Sequence, residues 1–200
     1  MHPSPRITVE VPVLNVGSGP SDYAELGSYV DALRRQQGLH LTLLHIGILA
    51  DFAQDIADWT KGITAAEAAA RATVAWLEGL PVLAGFSARA ERLVLLGGGR
   101  VSGLEVEVPV QVRDYQVCLV RGLHELLDEL LVDNVDDFIL SSRALGFRYP
   151  RWTPHIAVGR PWTKDRGPWE IRPLAVEFGE SRIRNRQFLP DFGTPGHAEG

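Results

Sequence analysis

Cysteine is almost absent from this chain. The single thiol, Cys118, has no partner, which excludes an intramolecular disulfide and a cysteine-built zinc cluster and fits a core held by burial in a reducing compartment. Long hydrophobic runs are missing too. The longest, Leu41 to Ala50, is broken by His45 and falls well short of the roughly 20 residues that a spanning helix needs. Met1 to Val16 alternates polar and apolar residues and carries Glu10 where a secretory leader would be uncharged. The expectation is a cytoplasmic protein without membrane association. Positive charge is in deficit, with 20 Lys and Arg against 25 Asp and Glu and a net charge of −5, which argues against a protein that coats extended nucleic acid. Metal-ligand spacing is lacking as well: on a regular strand His45 stands out of phase with His40, and no other His or Cys is suitably placed. No metal site and no cofactor are expected. Gly97-Gly98-Gly99 has neither the dinucleotide-loop spacing nor a Gly-Lys-Ser/Thr ending, and reads as a turn.

What is present, 200 residues of which 45% are hydrophobic and 22% charged, describes one ordinary globular domain or two small lobes sharing a core. Arg6 to Asn15 reads as a strand rich in Val and Ile. Ser21 to Gly38 reads as a helix, with Tyr23, Leu26, Val30 and Leu33 at helical spacing and Arg34 and Arg35 at its negative end. Leu39 to Leu44 follows as a strand. Helices are expected over Asp51–Trp59 and Thr64–Leu77, the second with Thr64 and Glu67 as a capping box. Strands over Arg92–Leu96 and Leu104–Val112 flank the glycine turn. Tyr115–Leu131 carries a leucine stripe in which Cys118 is expected to be core and His124 exposed, and Asp133 is expected to cap a helix running to Leu145. Strands return over Trp152–Arg160 and Glu170–Ser181. Elements in this order, without βαβ alternation, predict an α+β fold with a mostly antiparallel sheet. Residues 1–189 are read as one domain, and Pro190 to Gly200 as a flexible tail.

Two tripeptides carry the chemistry. In His40-Leu41-Thr42 and His155-Ile156-Ala157 the first and third residues share one face of a strand while the leucine or isoleucine faces the core. Two imidazoles across a groove form an acid/base pair, since each has an unperturbed pKa near 6.5. Cleavage of a phosphodiester needs that division of labour, with donors for the nonbridging oxygens. The stretch from Arg143 to Arg186 carries a net charge of +6 in a chain whose remainder sums to −11. It is either a local anion site or a solvated face.

These motifs, in this order, resemble the two-histidine (2H) phosphoesterase superfamily, the 2′,5′ RNA ligase and cyclic phosphodiesterase group. His40-Leu41-Thr42-Leu43 matches the first His-x-Thr/Ser motif. Trp152-Thr153-Pro154-His155-Ile156-Ala157-Val158-Gly159-Arg160 resembles the second, and Leu174 to Ser181, ending in Glu180-Ser181, resembles the closing strand. The resemblance implies two pseudo-symmetric lobes of mostly antiparallel sheet with outer helices. It also implies an enzyme acting on a 2′,3′-cyclic phosphate or 2′,5′ phosphodiester of a nucleotide or RNA end, working as a monomer. His40, Thr42 and His155 would be catalytic, and Arg160, Thr153, Trp152 and Tyr149 would bind substrate, the aromatic residues either stacking on a base or belonging to the core. Ala157 departs from the pattern, because a hydroxyl is expected there. Loss of one such donor costs on the order of 10² to 10³ in rate. Thr153 has the strand parity to replace it. The alternative is a noncatalytic protein that binds a nucleotide or RNA end and has lost activity with that hydroxyl.

Overall fold

Residues 6–145, 152–162 and 167–186 are described by the structure, a computed structural model; Tyr149 and the stretch 190–200 lie outside them. The first strand, β1 (Arg6–Val16), buries Ile7, Val9, Val11 and Val13 and turns Thr8, Glu10 and Pro12 the other way, the two-residue alternation of a strand with one face on a core. A short helix α1 (Pro20–Ala24), a 3₁₀ turn over Glu25–Ser28 and a two-residue strand β2 (Val30–Asp31) lead to β3 (His40–Ile48). Helices α2 (Leu49–Trp59) and α3 (Ala66–Glu78), the hairpin β4 (Phe86–Leu96) and β5 (Val101–Glu107), and helices α4 (Val110–Glu129) and α5 (Val135–Ser141) follow. The described chain ends with β6 (His155–Pro161), β7 (Trp169–Phe178) and β8 (Arg182–Arg186).

All pairings are antiparallel, and the class is the expected α+β. β1 pairs with β3 through residues 6–12 and with β7 through residues 13–16; β7 pairs with β4, β4 with β5, β5 with β6, and β6 with β3. Six strands therefore close into a ring, to which β2 is added along β6 and β8 along β1. Helices α2 and α4 lie against β3, and the core of Val9, Val11, Leu41, Leu43, Ile156, Phe52 and Leu127 is fully or almost fully buried. Among the described residues no helix is long and apolar enough to cross a membrane.

Several expectations need correction. The helix read over Ser21 to Gly38 is broken into α1, two 3₁₀ turns and β2. Tyr23, Leu26 and Val30 are buried as their spacing suggests, but β-branched Val30 exchanges helix for ladder pairing with Pro161. The capping box at Thr64 does not form: Ala65 is the N-cap residue, and the Thr64 hydroxyl donates to the Leu130 carbonyl. Asn134, in the left-handed region at φ 49°, stands at the start of α5 in place of Asp133. β5 ends at Glu107, so Val110 to Val112 begin α4. Cys118 is exposed, because the buried stripe of α4 runs through Val112, Gln116, Leu119, Leu123, Leu126 and Leu127 on the opposite side. The strand read as Glu170–Ser181 ends at Phe178, and β8, a separate element, follows.

Candidate active site

Leu41 in β3 is paired with Ile156 in β6, and neither has any exposed surface. Antiparallel alternation places their chain neighbours on the other face, with Thr42 opposite His155 and His40 opposite Ala157. The two histidines are thus diagonal neighbours, about 7–8 Å apart on such a ladder, a span that one phosphate can bridge with a hydrogen bond to each ring. Both are partly exposed.

The pairing extends outward on both sides. Glu10 stands opposite Thr42 and Arg182 opposite Glu10; Glu105 stands opposite His155 and Arg92 opposite Glu105. One row across six strands therefore reads Arg182, Glu10, Thr42, His155, Glu105, Arg92. Its outer members are ion-paired, Arg92 Nη2 to Glu105 Oε2 at 2.5 Å and Arg182 Nη2 to Glu10 Oε1 at 3.0 Å. Next to this row Gly103 faces Ala157, where a Cβ would collide with the Leu96 side chain and approach the His155 Cβ at 3.6 Å.

The histidines are held differently. His155 Nδ1 lies 2.8 Å from the Thr153 carbonyl; a carbonyl only accepts, so Nδ1 carries the proton of that bond and Nε2 is the ring nitrogen outside it. His40 Nδ1 lies 3.2 Å from the Gly38 carbonyl and 3.2 Å from Arg184 Nη1, while Nε2 is 3.5 Å from Glu10 Oε2. Thr153 itself is exposed, and its backbone oxygen is what it gives to His155. Trp152 Nε1 donates to the Thr42 carbonyl at 3.0 Å, so this indole ties the entrance of β6 to β3. Arg160 pairs with Asp31 in β2; β6 carries an extra residue at Val158, so that Gly159 joins it on the buried side and exposed Arg160 comes round to the face of His155. Trp162, 61% exposed, donates its indole N–H to the Gly27 carbonyl at the far end of β6.

His45 departs from the expectation that its parity differs from that of His40. Glu10 is opposite Thr42 but Val9 is opposite Leu44, so β3 carries an extra residue at Leu43 and its later side chains change face. Leu43 and Leu44 are both buried, and His45 comes round beside Thr8, its Nδ1 3.4 Å from the hydroxyl. Burial, and then the nearby Arg6 charge, hold its pKa below the usual histidine value. No group of three metal-ligating side chains occurs among the described residues.

The basic stretch is dispersed. Arg172 is bound to Asp22 at 2.6 Å and to Glu25 at 3.2 Å. Among its described side chains, Arg182 and Arg184 are the ones with contacts to Glu10 or His40. These arginines and Glu10, Glu105 and Arg92 were not singled out from sequence. Two signals were available: an acid at the middle of the apolar alternation Ile7, Val9, Val11, Val13, and arginine at every second position from 182 to 186.

No protein-family model matches the chain, and no curated protein does. Solved structures similar in fold include E. coli LigT complexed with 3′-AMP, 13% identical over 94% of this chain and 96% of that one with a TM-score of 0.45. A phosphoesterase is 16% identical over 92% and 96%, with a TM-score of 0.43. TT0787 of Thermus thermophilus is 18% identical over 90% and 83%, with a TM-score of 0.41.

Proposed function

We propose that this chain is a phosphoesterase that opens a 2′,3′-cyclic phosphate, or cleaves a 2′,5′ phosphodiester, at a nucleotide or RNA end. The observation that carries the reading is the diagonal placement of His40 and His155 on adjacent strands, on one face, with Thr42 opposite His155. In the hydrolytic direction one imidazole takes a proton from water as its oxygen bonds to phosphorus; the other gives a proton to the ribose oxygen as the P–O bond breaks. The product is a phosphomonoester and a free hydroxyl. Thr42 supplies a donor to a nonbridging oxygen.

Incubation with 2′,3′-cyclic nucleotides and with short RNAs ending in that group tests the reading. A nucleoside monophosphate end should accumulate, and His40→Ala or His155→Ala should each remove nearly all of it. A second reading, a protein that binds such ends without turning them over, is favoured by Ala157, which offers no hydroxyl, and by Gly103 opposite it, which offers none either. Binding without product across all these substrates would select it.

A further inference from the structure

Glu10 has no exposed surface, yet it lies on the histidine face of the sheet. An ionised carboxylate removed from water has to be matched by charge and hydrogen bonds. Arg182 donates to Oε1 from Nε at 3.1 Å and from Nη2 at 3.0 Å. Arg184 Nη1 lies 3.3 Å from each carboxylate oxygen, and the same nitrogen is 3.2 Å from His40 Nδ1. Two guanidinium groups meet one carboxylate. The three charges sum to +1, and one of the two guanidinium groups stands at the ring of His40.

The register shows how Arg184 gets there. It stands opposite Thr8, one row along from Glu10, so its side chain must pass over Glu10 to reach His40, which lies one row to the other side, opposite Pro12. Its side chain is 24% exposed, against 53% for Arg182. Arg182 covers the carboxylate from the solvent side, and Arg184 spans it toward the histidine.

We propose that Arg184 is a cation that contacts the substrate phosphate and that Glu10 is a positioning residue holding Arg184 and His40 together. This rests on the phosphoesterase reading for its substrate, but its test does not need turnover. In it, the Glu10 charge sets where Arg184 points and how the His40 ring is turned, and the guanidinium charge in excess of that one carboxylate acts on a phosphate bridging the histidines.

The probe is a nucleoside 3′-monophosphate, titrated calorimetrically against the whole chain, with the ring nitrogens of His40 followed by NMR. Arg184→Ala should weaken binding about 10- to 100-fold, the worth of one charge-assisted hydrogen bond, with Arg184→Lys in between. Arg172→Ala, which removes the same charge from a pair distant in the fold, should leave binding unchanged. Glu10→Gln should weaken binding and shift the His40 ring nitrogens in the free protein, and Glu10→Asp should restore part of both. Where substrate is turned over, Arg184→Ala should raise KM more than it lowers kcat, and Glu10→Gln should lower kcat. Should Glu10→Gln fail to fold, Arg184→Ala and the NMR titration of the unaltered protein still decide. Binding by Arg184→Ala equal to the parent, or His40 ring signals that do not move when the monophosphate is added, overturns the proposal. Absence of turnover on every substrate, with binding still dependent on Arg184, overturns the enzyme reading and leaves this one standing.

Discussion

At position 157 a single methyl group stands where the resembled motif has a hydroxyl, and it faces His40 across the ladder. If this is a simple handicap, Ala157→Thr should raise turnover of a cyclic nucleotide by up to about 10² to 10³, the worth of one positioned donor. If the Thr153 hydroxyl fills that role, the gain should be small and Thr153→Ala should be the costly change; steady-state kinetics on the two variants distinguishes them. His45 makes a separate prediction about stability. Its folded pKa is held below the unfolded value of about 6.5, by burial first and Arg6 second. The unfolded chain therefore binds the proton more readily, and stability declines as pH falls below about 6.5 toward the folded value. The denaturant midpoint should drop less steeply over that range in His45→Gln. The sequence showed His40, Thr42 and His155 because strand alternation depends only on neighbours. It hid the facing of His45, because a bulge at Leu43 is fixed by the partner strand. It hid the role of Glu10 as well, because the arginines that match its charge lie more than 170 positions away.

Among elements, β3 does the most to position the site, and two of its residues test how. Leu41 is buried and paired with Ile156, so Leu41→Ala should cost about 2 to 5 kcal/mol in unfolding free energy, measured by chemical denaturation. Gly47 has φ +83°, and a Cβ there would strike the Ala144 carbonyl. Gly47→Ala should therefore cost more than the roughly 1 to 2 kcal/mol of the backbone conformation alone, with the same assay as the check. Long periodic elements were legible: α2, α3 and α4 lie close to where the pattern of buried residues put them. β2 was not. Two residues make no periodic signal, and what settles them as strand is Pro161 and Arg160, brought alongside by the fold. β8 was missed for a related reason, since Arg182 to Arg186 carries little apolar alternation and holds its place by pairing with β1.

On the scale of the whole molecule, an acidic chain of net charge −5 carries a cluster of two arginines on one carboxylate beside a histidine. Local charge and net charge thus act oppositely on an anion, and salt screens both. Affinity for a nucleoside monophosphate should fall as salt rises from about 50 to about 500 mM, the direction set by the nearby arginines; a rise would mean that the net charge dominates. The +6 of the stretch 143–186 is an incomplete guide to this, because Arg172 is bound to Asp22 and Glu25.

His40 and His155 are 115 positions apart, and the backbone pairing that brings them together is the one that closes β3 onto β6. Contacts so distant along a chain form only after the large intervening loop has been closed, a step whose entropy cost falls late in folding. On the ribosome the first histidine strand must wait, with β1 and the helices already able to assemble around it, until the second has emerged. Formation of the histidine pair during synthesis should be abrupt and should coincide with the docking of β6.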